Sequence, residues 1–214
     1  MKTRMQKLGI RLEIKKMDNF RTEALPEPPE NDVEEPGSLR RFLLELLETI
    51  LLAAVLFLGI NAISARIRVE SISMQPTLYE GDFIIVNKLA YRLGTPSRGD
   101  VIIFHAPPDP TGEPYIKRVI GLPGDTIEVQ GGEVYVNGEP LREPYIKAAP
   151  SYQNTYHVPA DSLFVLGDNR NNSSDSHSWG PVPIKAVIGK AELVYLPFNH
   201  WQVLNEHTAA AAGP

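Results

Sequence analysis

The five histidines of this chain, His105, His157, His177, His200 and His207, include no pair three or four residues apart and no HExxH run, so no zinc-type site is written in the sequence. Cysteine is absent, which removes disulfides, thiolate metal sites, iron–sulfur clusters and a thiol nucleophile together. Neither GxGxxG nor a phosphate loop ending in GK[ST] occurs, and nucleotide chemistry is set aside. There is no GxSxG elbow either, although His177 close to Asp175 leaves a Ser-His-Asp arrangement open. Three segments then stand out for small polar residues set beside apolar ones. They are Val69-Glu70-Ser71-Ile72-Ser73-Met74-Gln75-Pro76-Thr77-Leu78, Tyr115-Ile116-Lys117-Arg118-Val119-Ile120-Gly121-Leu122-Pro123-Gly124-Asp125, and the long run from Leu166-Gly167-Asp168-Asn169-Arg170 to Ser178-Trp179-Gly180. Taken singly they read as a loop entering a strand, a strand ending in a Pro-Gly turn, and a polar surface loop.

The elements that must position these segments follow from composition and pattern. The chain has 214 residues, 43% hydrophobic and 22% charged, which is room for one domain and an appendage. Nineteen prolines and sixteen glycines argue against a helical bundle. A net charge of −5 supplies no basic face for nucleic acid. Residues 1–41 carry nine Lys/Arg, mostly before residue 22, and eight Asp/Glu, and their proline-rich acidic half reads as an unstructured tail.

Ser38 is positioned to cap a helix. The run 42–65 is apolar, flanked by Arg40-Arg41 and by Arg66 and Arg68, and is free of charge for the seventeen residues from Thr49 to Ala65. At 1.5 Å per residue that charge-free part reaches roughly 26 Å, and the whole run is long enough for a bilayer core of about 30 Å. It reads as an uncleaved signal-anchor rather than a buried soluble helix or a removed signal sequence. The bases of the first 21 residues place the N-terminus inside and residues 66–205 on the outer face. From Arg66 the pattern turns to short strands: 82–87, 100–104, 127–129, 134–136, 162–166 and 191–195, with hairpin signals at Gly131-Gly132 and Asn137-Gly138. A mainly antiparallel β domain, partly closed into a barrel and preceded by a single transmembrane helix, is the expected fold. Residues 206–214 read as a frayed end.

Taken together and in this order, S-x-S-M-x-P-T, K-R-V-x-G-x-P-G-D and G-D-N-R-x-N-S-x-D-S following a signal-anchor resemble the boxes of the bacterial type I signal peptidases, over about Glu70 to Gly189. The resemblance implies a membrane-anchored endopeptidase with a Ser/Lys dyad, which removes signal peptides from exported preproteins after Ala-X-Ala sequences. It assigns the nucleophile to Ser73 and the general base to Lys117. Ser71 and the Ser73 N–H become the oxyanion donors, Ser173 orients the lysine, and Asp175 and Arg170 brace the site, read as an ion pair. No metal or organic cofactor is implied. The expected partners are signal peptides and membrane lipid, with the chain a monomer in the bacterial plasma membrane.

The chemistry makes demands on those residues. A serine hydroxyl needs a neighbour to take its proton, and a lysine serves only when neutral, about three units below its ordinary value near 10.4. Burial against apolar side chains such as Ile116, Val119 and Ile120 disfavours the ammonium, provided that Arg118 points to the other face of its strand. His177 reads as loop packing. The segment between Lys117 and Ser173 leaves room for a short hairpin insertion around 127–147. Ala62-Ile63-Ser64 resembles a cleavable site, so self-cleavage near Ala65 is a further expectation. The competing readings are a Ser/Lys autoprotease of the SOS-repressor kind and a non-catalytic β module that binds extended peptides.

Overall fold

A computed structural model describes residues 37–204. The tail expected over 1–41 therefore falls largely outside the described residues, as does the expected frayed end. Helix α1 runs Ser38–Ile63, four residues earlier at its start than the sequence pattern suggested. It is long and apolar enough to cross a membrane. Its large apolar side chains, among them Leu51 at 63% and Phe57 at 63%, stay exposed, so it is no core helix of a soluble domain.

Residues 50–204 belong to one compact unit. Its strands are β1 Ser64–Arg68, β2 Phe83–Asn87, β3 Val101–Phe104, β4 Tyr115–Gly121, β5 Thr126–Gln130, β6 Glu133–Val136, β7 Glu139–Pro140, β8 Asn154–His157, β9 Ser162–Leu166, β10 Val182–Pro183, β11 Val187–Leu196 and β12 Gln202–Val203. Two one-turn α-helices, α2 Ala90–Leu93 and α3 Ser176–Trp179, and two 3-10 turns, Ile184–Ala186 and Phe198–His200, complete the set. The fold is mainly antiparallel β. An eight-stranded sheet has the order β1-β2-β11-β3-β4-β9-β10, with β12 paired to β11, and a four-stranded sheet has the order β7-β6-β5-β8.

Three register shifts in β11, against β2 and β3, let one long strand serve both neighbours and curl the sheet into a half-barrel. At one of them a Cβ on Gly189 would lie 2.5 Å from the Asn87 carbonyl oxygen, an approach only glycine permits. Strand β3 is buried on both faces: Val101 and Ile103 enter one core cluster, Ile102 and Phe104 another. That is why it reads as an unbroken apolar run. A third cluster, including Ile120, Ile127, Val134 and Phe164, joins the two sheets.

Two boundaries differ from the sequence reading. The helix stops at Ile63, and Ser64–Arg68 pairs with β2 from Ser64↔Asn87 to Arg68↔Phe83. Ala62-Ile63-Ser64 thus straddles a helix end and a ladder start, with the Lys88 N–H bonded to the Ile63 carbonyl, and is not an open extended segment. The insertion is also wider than 127–147: β8 adds to β5 through Thr126↔His157 and Val129↔Asn154.

Candidate active site

Beyond Arg68 the chain stays extended. Val69 exchanges backbone hydrogen bonds with Asp82 and Gly81, and the chain then turns at Ser73–Thr77. That turn is held from the third box. The Asn169 N–H donates to the Ser73 carbonyl at 3.0 Å, and Asn169 Nδ2 donates to the Ile72 carbonyl at 3.1 Å. Gly167 makes the approach possible, because a Cβ there would fall 2.5 Å from the Ser73 carbonyl oxygen and 2.2 Å from Ser173 Oγ.

Ser73 is 8% exposed, and its Oγ accepts from Lys117 Nζ at 2.8 Å. Lys117, on β4, is 3% exposed, and its second contact is the Ile116 carbonyl at 2.9 Å. No carboxylate among the described residues lies within ion-pair distance of it. Burial pulls its pKa from 10.5 down to about 8, against the opposing pull of the Asp175 and Asp168 charges. Ser71 stands beside the pair: its Oγ lies 2.9 Å from Ser73 Oγ and accepts from the Ser73 N–H at 3.3 Å. The structure thus brings Ser71, Ser73 and Lys117 together.

The neighbouring side chain, Arg118, points to the other face of β4 as the chemistry required. Its Nε and Nη2 donate to the two oxygens of Asp168 at 2.9 and 2.8 Å, and its Nη1 donates to the Gly99 carbonyl at 2.9 Å. Thr77 Oγ1 donates to the same carboxylate at 2.5 Å, and the Tyr145 ring lies 4.0 Å from the guanidinium. Thr77, Arg118 and Asp168 come one from each box and are all 0% exposed. They tie the three segments together beneath the serine. Sequence reading missed this hub; its one signal was a charged residue of each sign in the second and third boxes.

The bracing residues have partners other than those expected. Arg170 and Asp175 form no ion pair with each other. Arg170 makes a fork to Glu143, at 2.6 and 2.5 Å, and its Nε donates to the Gly167 carbonyl. Asp175 receives the Gly167 N–H at 2.9 Å and caps α3 by accepting from the His177 N–H. Its Oδ1 also lies 2.6 Å from His177 Nδ1. The correction has a physical cause: a buried guanidinium needs a planar carboxylate at bidentate distance, and Glu143 of the insertion supplies it, 27 residues away in sequence. His177 does more than fill the loop, since it also stacks on Tyr152 with centroids 4.1 Å apart. Among the described residues no serine hydroxyl bonds to His177, so no Ser-His-Asp triad is assembled. Ser173 Oγ is shielded from solvent and has no hydrogen-bond partner, so it makes no bond to Lys117 here.

A cleft of about 680 Å³ opens onto Ser73, between the chain from Arg66 to Met74 and the chain from Glu113 to Lys117. Both walls have free backbone edges. β1 is the end strand of its sheet, and residues Tyr115–Lys117 pair with β3 alone, since the β4–β9 ladder starts at Arg118. No group of three or more metal-ligating side chains is found among the described residues. A buried serine on a partly neutral lysine, beside two donors and in a cleft with free backbone edges, is equipped for acyl transfer to serine.

The chain is similar to known proteins over most of its length. Residues 43–196 match the family described as "Signal peptidase, peptidase S26". The chain is 50% identical over 165 residues to a signal peptidase I of Leptolyngbya laminosa, covering 73% of this chain and 81% of the relative. It is 40% identical over 148 residues to a signal peptidase I of Bacillus caldolyticus, covering 62% and 80% respectively. A crystal structure of a signal peptidase I from Enterococcus faecalis V583 shares 34% identity and a TM-score of 0.42, over 45% of this chain and 97% of that one.

Proposed function

The chain belongs to the signal peptidase family, peptidase S26, and from that premise we propose that it is a membrane-anchored Ser/Lys endopeptidase that cuts signal peptides from exported preproteins after Ala-X-Ala sequences. The observation that carries the reading is the 2.8 Å contact from Lys117 Nζ to Ser73 Oγ, made by a lysine whose pKa is near 8. In its neutral form Lys117 takes the Ser73 proton as Oγ attacks the scissile carbonyl. The Ser73 N–H and the Ser71 hydroxyl, now engaged with each other, turn to the oxyanion that develops. Lys117 then passes its proton to the departing amine, and in the second half-reaction it activates the water that releases the acyl group. Ser173, whose shielded Oγ is unpartnered, steadies the lysine once Ser73 is acylated.

The free edges of β1 and of Tyr115–Lys117 suit a substrate that adds as a strand between them. Ile67, Val69, Met74 and Ile116 share one apolar cluster and line the floor, an apolar surface for the substrate side chains that face it. Helix α1 is the anchor in this reading, with Arg40 and Arg41 of its first turn at the inner surface and the β unit on the outer one. The test is cleavage of a preprotein carrying an Ala-X-Ala site by the detergent-solubilised full chain at about pH 8. A single cut after the site, lost in both Ser73→Ala and Lys117→Ala while both stay folded, is the expected result. Equal behaviour of all three would return the chain to a peptide-binding module.

A further inference from the structure

The cleft has an apolar floor and a charged rim, and the pleat of β1 separates the two. Ile67 and Val69 turn into the core, while Arg66, Arg68 and Glu70 stand at the alternate, exposed positions and line the cleft. Glu113 adds another acid on the opposite wall. The side chains of these four charged residues make no ion pair or hydrogen bond among the described residues. Unpaired charges that flank a binding cleft are open to complementation by a ligand.

A peptide laid along β1 as an added strand alternates its side chains between floor and rim, one rim position for every two residues or roughly 6.6 Å. β1 and its extension present Arg66, Arg68 and Glu70 at that same interval, in that order toward Ser73. Acyl transfer keeps the amino-terminal part of a peptide on the enzyme while the remainder leaves. The mature portion differs from one preprotein to the next, so the cleft is the place for residues upstream of the scissile bond. The residue just before that bond then drops onto the floor, and the second and fourth rise to the rim.

Resting on the peptidase reading above, we propose that this rim reads charge. Glu70 favours a basic side chain at the second residue before the scissile bond, and Arg68, backed by Arg66, favours an acidic side chain at the fourth. The middle position of Ala-X-Ala is thereby constrained by charge where it is left open by size.

The test compares peptides with one Ala-X-Ala site that differ in a single residue: Lys, Ser or Glu at the second position, and the same three at the fourth. The full chain in nonionic detergent cuts them, with Ser73→Ala as the blank, and kcat/KM ratios are taken within each enzyme. Wild type should prefer Lys over Glu at the second position and Glu over Lys at the fourth, each by about threefold to tenfold, as expected for solvent-exposed charge pairs. Both preferences should shrink toward unity in about 0.5 M salt. Glu70→Lys should invert the first and Arg68→Glu the second. Flat ratios in wild type, or ratios unchanged in the swapped variants, overturn the charge-reading rim while leaving the peptidase intact. Failure of wild type to cut any of the peptides removes the peptidase reading itself and the rim with it.

Discussion

Lys117 and Arg118 are adjacent on one strand, and both are buried cations, yet they are treated in opposite ways. On one face of β4, Lys117 meets a serine hydroxyl and a carbonyl but no acid at ion-pair distance, so desolvation outweighs the pull of the Asp175 and Asp168 charges and brings its pKa to about 8. On the other face, Arg118 is clasped by both oxygens of Asp168 and stacked on Tyr145. Strand alternation alone keeps these environments apart. A buried cation is therefore reactive or structural according to whether a carboxylate has been placed within reach, and a guanidinium, which does not lose its proton, suits only the second role.

Removing the brace should have the largest effect on stability. Arg118→Met leaves Asp168 buried with its main partner gone and should cost about 3–5 kcal/mol, seen as an earlier denaturant midpoint. A loss below about 1 kcal/mol would mean that the two cations are not so different.

The reactive side should respond with the opposite sign. Lys117 has a folded pKa of about 8 against 10.5, so between these values the unfolded chain binds more protons and stability rises with pH. Below about 8 the full penalty, about 3 kcal/mol, is present. Lys117→Met should abolish cleavage yet raise stability at neutral pH by up to that amount and flatten the dependence between pH 8 and 10.5, all measurable by chemical denaturation.

The same ionisation governs rate. Because the base must be neutral, kcat/KM should climb about tenfold per pH unit below the lysine's pKa of about 8 and level off above it. A profile flat from about pH 6 upward would show that another group takes the proton.

The smallest effect concerns Asp175, whose charge favours the ammonium of Lys117. In Asp175→Asn the rising limb should move to lower pH, a change that loss of the helix cap alone does not produce.

Much of this was readable in advance, and the exceptions share a cause. Runs such as Ser162–Leu166 announce themselves because both faces are buried, and the boxes because small polar residues sit beside apolar ones. Strand β8, Asn154-Thr155-Tyr156-His157, is polar and largely exposed and owes its existence to pairing with β5, which no local pattern carries. β1 was hidden because Ser64 and Ala65 continue the apolar run of the helix, and only the ladder to β2 ends it. The Glu143 partner of Arg170 lies in an insertion with no motif of its own, so proximity in sequence suggested Asp175 instead. Ser71 and Ser73 are neighbours within one box and Lys117 reaches Ser73 from another, whereas the hub beneath them has no local pattern of its own.

That hub also sets a clock. Asp168 closes on Thr77 across 91 residues and on Arg118 across 50, and the next residue, Asn169, fixes the carbonyl of Ser73. Contacts so distant in sequence form late in folding, after the intervening chain has been ordered. A nascent chain that has delivered its nucleophile and its base but not residue 168 holds an unsecured serine turn. An amino-terminal fragment that stops short of residue 168 therefore holds both reacting groups without the contacts that fix them.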